Sequence, residues 1–288
     1  MIVVTEATGD VGREVVRFLD GTGILVRMGV LHPEQAKGMA GPDREVIRFD
    51  FNDPESIKHA LSGARHLCLL LPTSENAVEM ATLAIDIAKL NGVSHIVYQS
   101  MLGADAESGS RLLHWHHEVE SYLREAGVHY TILRANMLME SLADMAHDSI
   151  VREGLLNLPL GDAQVSFLAA RDLGAVCAEV MASTGHQEQI YTLTGSNAIP
   201  AEEFAVAIGR AIRSVVSYMD LTEEVARQQM TAMGLPQWQV DTRLEYYAFL
   251  RNGGGRSVTN DVERLTSQAP LDVWNWANLH KDEFRMAA

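Results

Sequence analysis

Cysteine is almost missing from this chain: its 288 residues include only Cys68 and Cys177. Both lie in apolar segments, one expected in a strand and one in a helix. They read as reduced, buried thiols of a cytoplasmic protein rather than as a disulfide framework. Long apolar runs are missing as well, and with them any candidate membrane span. The first residues read as a sheet strand and not as a signal peptide. Positive charge is scarce, with Lys+Arg 23 against Asp+Glu 38 and a formal net charge of −15. That balance repels a polyanion and argues against direct nucleic-acid binding. No internal repeat or low-complexity tract is present. What is there is a hydrophobic content of 47%, enough for a sizeable core, in a length that suits one α/β domain with a smaller appendage.

The most informative stretch is Val3-Val4-Thr5-Glu6-Ala7-Thr8-Gly9-Asp10-Val11-Gly12. An apolar start, two glycines three apart, and then Val11, Val15, Phe18 and Leu19 at helical spacing spell strand, tight turn and helix. Such a turn brings the backbone N–H groups of a helix N-terminus close to a pyrophosphate, whose negative charge the helix dipole favours. Gly9 and Gly12 suit that approach. Position 6, where a first glycine is expected, carries Glu, whose bulk and charge would lie beside the phosphates.

The chain then alternates. Residues 24–31, 45–49, 66–71, 94–100 and 129–134 read as further strands, each apolar. Between them, Asp53-Pro54-Glu55-Ser56 supplies a cap and a first turn, and Ala77, Met80, Ala81, Ala84, Ile85 and Ala88 give a helix its buried stripe. A third helix spans 111–126. Apolar strands alternating with amphipathic helices predict a Rossmann-like, doubly wound parallel sheet over residues 1–155. Residues 156–288 read as a smaller mixed α/β subdomain on the substrate side. Its expected strands are 165–169, 189–193 and 215–219. Its expected helices are 171–181, one from Pro200, others from about Thr222 and Pro236, and two closing ones after the Gly253-Gly254-Gly255 loop.

Seven motifs in this order resemble the NmrA-like family, an atypical short-chain dehydrogenase/reductase group that includes quinone and triphenylmethane reductases and redox-sensing regulators. They are VTEATGDVGREVV (4–16), FDFNDPESI (49–57), LLLPTSENAVEMA (69–81), QSMLGA (99–104), LRANMLMESL (133–142), VSFLAARDLGAV (165–176) and TNDVERLT (259–266). The resemblance implies NADPH or NADH lying over Ala7, Thr8, Gly9, Asp10, Val11 and Gly12. The dinucleotide would continue past Leu31, Asp50, Phe51, Leu71 and Pro72 and reach its nicotinamide end near Ser100 and Asn136. Two residues depart from the family where that cofactor binds. Glu6 replaces a glycine, and Leu31 stands where NADPH-using relatives carry an arginine for the 2′-phosphate, with Arg27 and His32 the nearby polar candidates.

The Tyr-x-x-x-Lys pair of ordinary short-chain dehydrogenases is absent, since none of Lys37, Lys58, Lys89 and Lys281 has a tyrosine four residues earlier. Ser100 and His116 are the candidate catalytic residues. Ser100 is expected to donate to a substrate carbonyl or to tie down its own loop; His116 borders the nicotinamide side of its helix. In the same run His114, His117 and Glu118 share a solvated face, so no metal site is expected. The substrate side is assigned to Gly103, Met137, Phe167 and Tyr247, with Met139 and Tyr246 nearby, residue types that suit a flat, apolar ligand and also ordinary core. Two functions stay open. One is an NAD(P)H-dependent reductase of a quinone or polycyclic aromatic. The other is a relative with impaired dinucleotide binding that acts as a ligand-binding regulator or a cofactor-independent tailoring protein on an aromatic metabolite. A homodimer or a regulatory protein partner is compatible with either.

Overall fold

In the computed structural model, which describes residues 1–104, 107 and 109–285, β1 (Ile2–Val4) lies inside a seven-stranded sheet. On one side it pairs with β2 (Val26–Val30), which pairs with β3 (Arg44–Arg48). On the other side come β4 (His66–Leu69), β5 (His95–Met101) and β6 (His129–Ala135). After β6 the chain leaves the sheet to form β7 (Leu155–Leu158) and then returns as β8 (Gln189–Leu193), which pairs with β6. Every pairing is parallel. The chain runs outward from β1 through β2 and β3, then crosses back to β4. Loops at the carboxyl ends of β1 and β4 therefore diverge and leave a crevice between them.

Helices cover both faces. On one, α1 (Asp10–Leu19) buries Val11, Val15, Val16 and Leu19. On the other, α2 (Pro54–Leu61), α3 (Ala77–Leu90) and α4 (Arg111–Glu125) contribute Ile57, Leu61, Ile85, Val119 and Leu123. The start of α2 is as its sequence implies: the Asp53 carboxylate accepts from the N–H groups of Glu55 and Ser56, and Pro54 opens the helix.

Several features differ from the sequence reading, the unexpected strand β7 among them. An unanticipated helix, α5 (Met139–Glu153), follows β6 and ends at Gly154, whose φ of 68° is left-handed. Residues 165–169 make only isolated bridges, Leu138 with Leu168 and Val165 with Ile199, and form no strand. Residues 189–193, expected in the subdomain, extend the main sheet as β8 and cover the edge that β6 would otherwise expose. Before β8, α6 (Ala170–Ala182) packs on α1, and Gly174 allows it: a Cβ there would lie 2.4 Å from Glu14 Cβ. Cys68 and Cys177 are both fully buried, free thiols within that layer.

The remaining elements surround a second core around Phe167, Phe204, Trp276 and Leu244. They are β9 (Ser217–Asp220), parallel to β7, with α7 (Ala201–Ile212), α8 (Glu223–Ala232), α9 (Gln237–Arg251) and α11 (Val273–His280), whereas α10 (Asp261–Thr266) packs on α6 and β8, where Val262 joins the layer of α1. α9 is the one that matters for the site. It leans on α4 through the Arg111–Glu245 ion pair at 2.9 Å and the Trp115 and Trp238 rings, 6.2 Å apart.

His95, 5% exposed at the start of β5, gives its Nε2 hydrogen to Thr131 Oγ1 at 2.8 Å, because that hydroxyl spends its own on the His186 carbonyl. Burial first, and the neighbouring histidines second, hold its pKa down to about 4. The unfolded chain takes up this proton near the ordinary histidine value of about 6.5. Stability contributed by neutral His95 is therefore present above that value and lost as pH falls toward 4. His95→Gln, which keeps a donor for Thr131, should lose less stability between pH 7 and pH 4.5, by on the order of 2 kcal/mol in urea unfolding. An unchanged pH slope would show that His95 is protonated in the fold.

Candidate functional site

At the end of β1 the Thr5 hydroxyl donates to the Leu70 carbonyl at 2.6 Å and accepts from the Leu70 N–H at 2.8 Å. This ties the two strand ends that border the crevice. Glu6 then turns the chain in the left-handed region, with φ 47°. Its carbonyl accepts the Gly9 N–H at 2.9 Å, and Gly12 packs so close beneath that a Cβ would come within 2.2 Å of the same oxygen. Only glycine fits at position 12. At position 6 a glycine would adopt the observed backbone freely, whereas glutamate holds it at a cost of about 1 kcal/mol or more. α1 starts with Gly9 as its cap residue and no side-chain cap, so its first-turn N–H groups are left for another acceptor.

Outside this turn a depression runs along the ends of β1, β2 and β3, lined by Glu6, Thr8, Arg13, Leu31, Asp50 and Phe51 among others. Ala7 and Val11 are core residues below it, so they offer only backbone. Arg13 is the one Arg or Lys among the lining residues; it donates to the Thr8 carbonyl at 2.8 Å and to Asp10 at 2.7 Å. Leu31 is 48% exposed, and Asp50 is held by Arg48 at 2.6 Å. Arg27 is turned away, with its guanidinium on Glu45 and on the carbonyls of Ala60 and Ser62. The Glu6 carboxyl is partly buried, which raises its pKa above the usual carboxylate range.

A second cavity, of about 260 Å³, continues past the ends of β4, β5 and β6 beneath α9, and the two share Pro72, Thr73 and Ser74. Leu71, Met137 and Tyr247 lie in its wall, together with Trp115, Trp238 and Tyr246. The Tyr246 hydroxyl is buried there without a protein partner among the described residues. His116 also lines this cavity, its Nδ1 2.7 Å from Tyr98 Oη.

Tyr98 and Ser100 form two rungs between β5 and α4. Tyr98 meets His116, and Ser100 meets Glu120, its hydroxyl donating to that carboxylate at 2.6 Å. Glu120 is fully buried and also accepts from Arg124 at 2.8 Å and from Arg134 at 2.7 Å and 2.9 Å. Ser100, fully buried, therefore gives its hydroxyl to α4 and not to the cavity, so of the two roles open for it the substrate donor is not the one the structure places there. Asn136 lines the cavity. Its amide nitrogen reaches the Ser166 and Gly255 carbonyls, and its oxygen accepts the Met137 N–H, so the side chain clamps two loops beside the cavity. Phe167 packs on Phe204 in the second core, and Gly103, at φ 94°, lies against the Phe249 ring. His114 is exposed and paired with Glu118 at 3.4 Å, and no metal-holding cluster occurs among the described residues. Tyr98, Trp115 and Trp238 were not singled out as site residues, because no local motif announces them and their meeting depends on how α4 and α9 pack.

The profile of the NmrA-like family matches residues 1–283. The chain belongs to the NmrA-like family. Among relatives, it is 29% identical over 287 residues to an NAD(P)H azoreductase of Xenophilus azovorans, covering 100% of both chains. It is similar in structure to the NADPH-dependent quinone oxidoreductase of Escherichia coli complexed with NADPH, with TM-score 0.87 at 25% identity over 97% of this chain and 99% of that one. The Citrobacter sp. triphenylmethane reductase complexed with NADP(H) gives TM-score 0.86 at 22% identity over 98% and 100%, a likeness of fold. The seven-stranded parallel sheet and its flanking helices are thus the NmrA-like architecture the motifs implied.

Because the Glu120 carboxylate is fully buried and accepts from Ser100, Arg124 and Arg134, truncating it removes several charge-assisted hydrogen bonds at once. Glu120→Ala should cost about 3–5 kcal/mol in urea unfolding, and Glu120→Gln less. A loss under 1 kcal/mol for Glu120→Ala would show that water reaches the cluster.

Proposed function

We propose that this NmrA-like protein is an NAD(P)H-dependent oxidoreductase that reduces a flat aromatic acceptor of the quinone or polycyclic class. The observation that carries the reading is the continuity of two unlike cavities at Pro72–Ser74, one around the glycine turn and one walled by aromatic rings. A dinucleotide has that same division, a charged pyrophosphate half and a reactive ring half, and it would supply the hydride. The uncapped N–H groups of α1 suit the pyrophosphate, with Arg13 as the nearby cation. Leu71 and Pro72 would wall the ring end. Trp115, Trp238 and Tyr247 would hold the acceptor flat. The chain's own part is positioning and exclusion of water, since no Tyr-x-x-x-Lys pair is present.

Glu6 favours a second reading, a ligand-binding relative with weakened dinucleotide affinity. Its carboxyl lines the phosphate end of the depression. The two readings separate in a titration with NADPH and NADH, followed by tryptophan fluorescence and thermal shift, because binding to the folded state raises the melting temperature. Saturable stabilisation is expected, with the two cofactors within about tenfold of each other, since Leu31 offers a 2′-phosphate nothing and Arg27 is engaged elsewhere. No stabilisation by either would favour the regulator.

Glu6→Gly should tighten NADPH binding by roughly tenfold or more, on the order of 1.4 kcal/mol, by removing the charge and relaxing the backbone. Glu6→Gln tests charge alone. Burial raises the Glu6 pKa, so the carboxyl neutralises earlier as pH falls. Wild-type affinity should therefore rise toward acid while that of Glu6→Gln stays flat. Equal affinities for all three proteins would mean that the carboxylate points away from the phosphates.

A further inference from the structure

The Tyr98 and His116 pair decides which hydrogen the aromatic cavity is offered. Tyr98 is fully buried, and loss of water together with the nearby Glu120 carboxylate raises its pKa well above that of a free phenol. It keeps its proton. Burial also lowers the His116 pKa, to about 4, so the ring is neutral near pH 7. A protonated phenol 2.7 Å from Nδ1 of a neutral imidazole donates to that nitrogen, and the ring's single hydrogen must then sit on Nε2. Nε2 makes no hydrogen bond among the described residues, and the residue itself, half-buried, lines the cavity.

We propose that Tyr98 is a positioning residue that locks His116 as its Nε2–H tautomer, so that a neutral imidazole donates a hydrogen bond to the acceptor heteroatom on which reduction gathers negative charge. This rests on the cavity being the acceptor site. The class of acceptor served is one whose carbonyl oxygen becomes an anion on taking hydride, such as a quinone. In that step a bound reduced dinucleotide would supply the hydride and be oxidised, the acceptor would gain the electron pair, and its oxygen would then take a proton. The proton does not come from His116. Giving up Nε2–H would require Nδ1 to take the phenol's proton and leave a phenolate in a fully buried position beside Glu120, the species that burial and that charge both oppose. The histidine therefore stabilises the anion through its hydrogen bond, and water entering the open cavity completes the reduction.

An acceptor of the opposite charge type tests this. A triarylmethyl cation becomes neutral when hydride adds to its carbon, so it creates no anion for His116 to stabilise. His116→Leu should lower kcat for a soluble naphthoquinone by roughly tenfold or more with little change in dinucleotide affinity, and leave a triarylmethyl dye within about twofold. His116→Gln, which retains an N–H donor, should recover part of the loss. Tyr98→Phe, nearly isosteric, should cost the quinone reaction several-fold, again sparing the dye. Nitrogen-15 NMR of the resting protein should show His116 protonated on Nε2 and not on Nδ1, with the tautomers mixing in Tyr98→Phe; thermal melting reports that each variant is folded. Nδ1 protonation in the wild type, equal quinone rates for His116→Leu and His116→Gln, or equal losses for both acceptors would overturn the proposal. Failure of the wild type to reduce either acceptor would instead sink the oxidoreductase reading, and the NMR would still decide the tautomer lock.

Discussion

One small side chain, the Thr5 hydroxyl, joins the two strand ends between which everything functional is arranged. It uses both its hydrogen and its lone pair on the backbone of Leu70, at full burial, where an unpaired group would cost about 1–3 kcal/mol. β1 and β4 are the strands at which the order of the sheet reverses. Fixing their ends at one height sets where the glycine turn leaves β1 and where the Pro72–Ser74 loop leaves β4. The phosphate-type depression and the aromatic cavity adjoin because that loop borders both.

The second constraint is electrostatic and lies one layer deeper. In a chain of net charge −15, a fully buried glutamate is tolerable only if its charge is matched. Arg134 of β6 and Arg124 of α4 match Glu120, and Ser100 of β5 takes one more lone pair. The cluster therefore pins α4 to the sheet at one height. His116 lies one helical turn earlier on the same helix and meets Tyr98. An ion cluster that does not line the aromatic cavity thus helps hold the helix that carries His116.

Strands and helices were legible where the apolar period was clean, from β1 through β6, because both faces of a parallel sheet demand apolar side chains. α5 was also legible in principle: Met139, Leu142, Ala143, Ala146 and Ile150 recur at helical spacing and are all buried. The return of residues 189–193 to the main sheet was not legible, since the pattern of a strand says nothing about which edge it will pair with. The same limit governs the site. The glycine turn declares itself because its chemistry is backbone chemistry within ten residues. Ser100 as a substrate donor was a guess about direction. Tyr98 and Ser100 share a face of β5, and only the register of α4 decides that both point to the helix, where one meets a carboxylate and the other an imidazole.

Glu6 shows how a departure from a family pattern can be read through backbone physics before any ligand is considered. Its φ of 47° is the conformation a glycine would hold there without strain, so the turn has kept its shape while losing the residue that made the shape easy. The close contact between its carbonyl and Gly12 explains why. Shifting Glu6 to an ordinary extended conformation would move that oxygen and open the packing of α1 on β1, where Val15 and Val4 are fully buried. Strain of about 1 kcal/mol at one residue is small beside the several kcal/mol held in that contact layer. The fold therefore tolerates the glutamate, and its consequence falls on the crevice, where a partly desolvated carboxyl faces the same depression as Arg13.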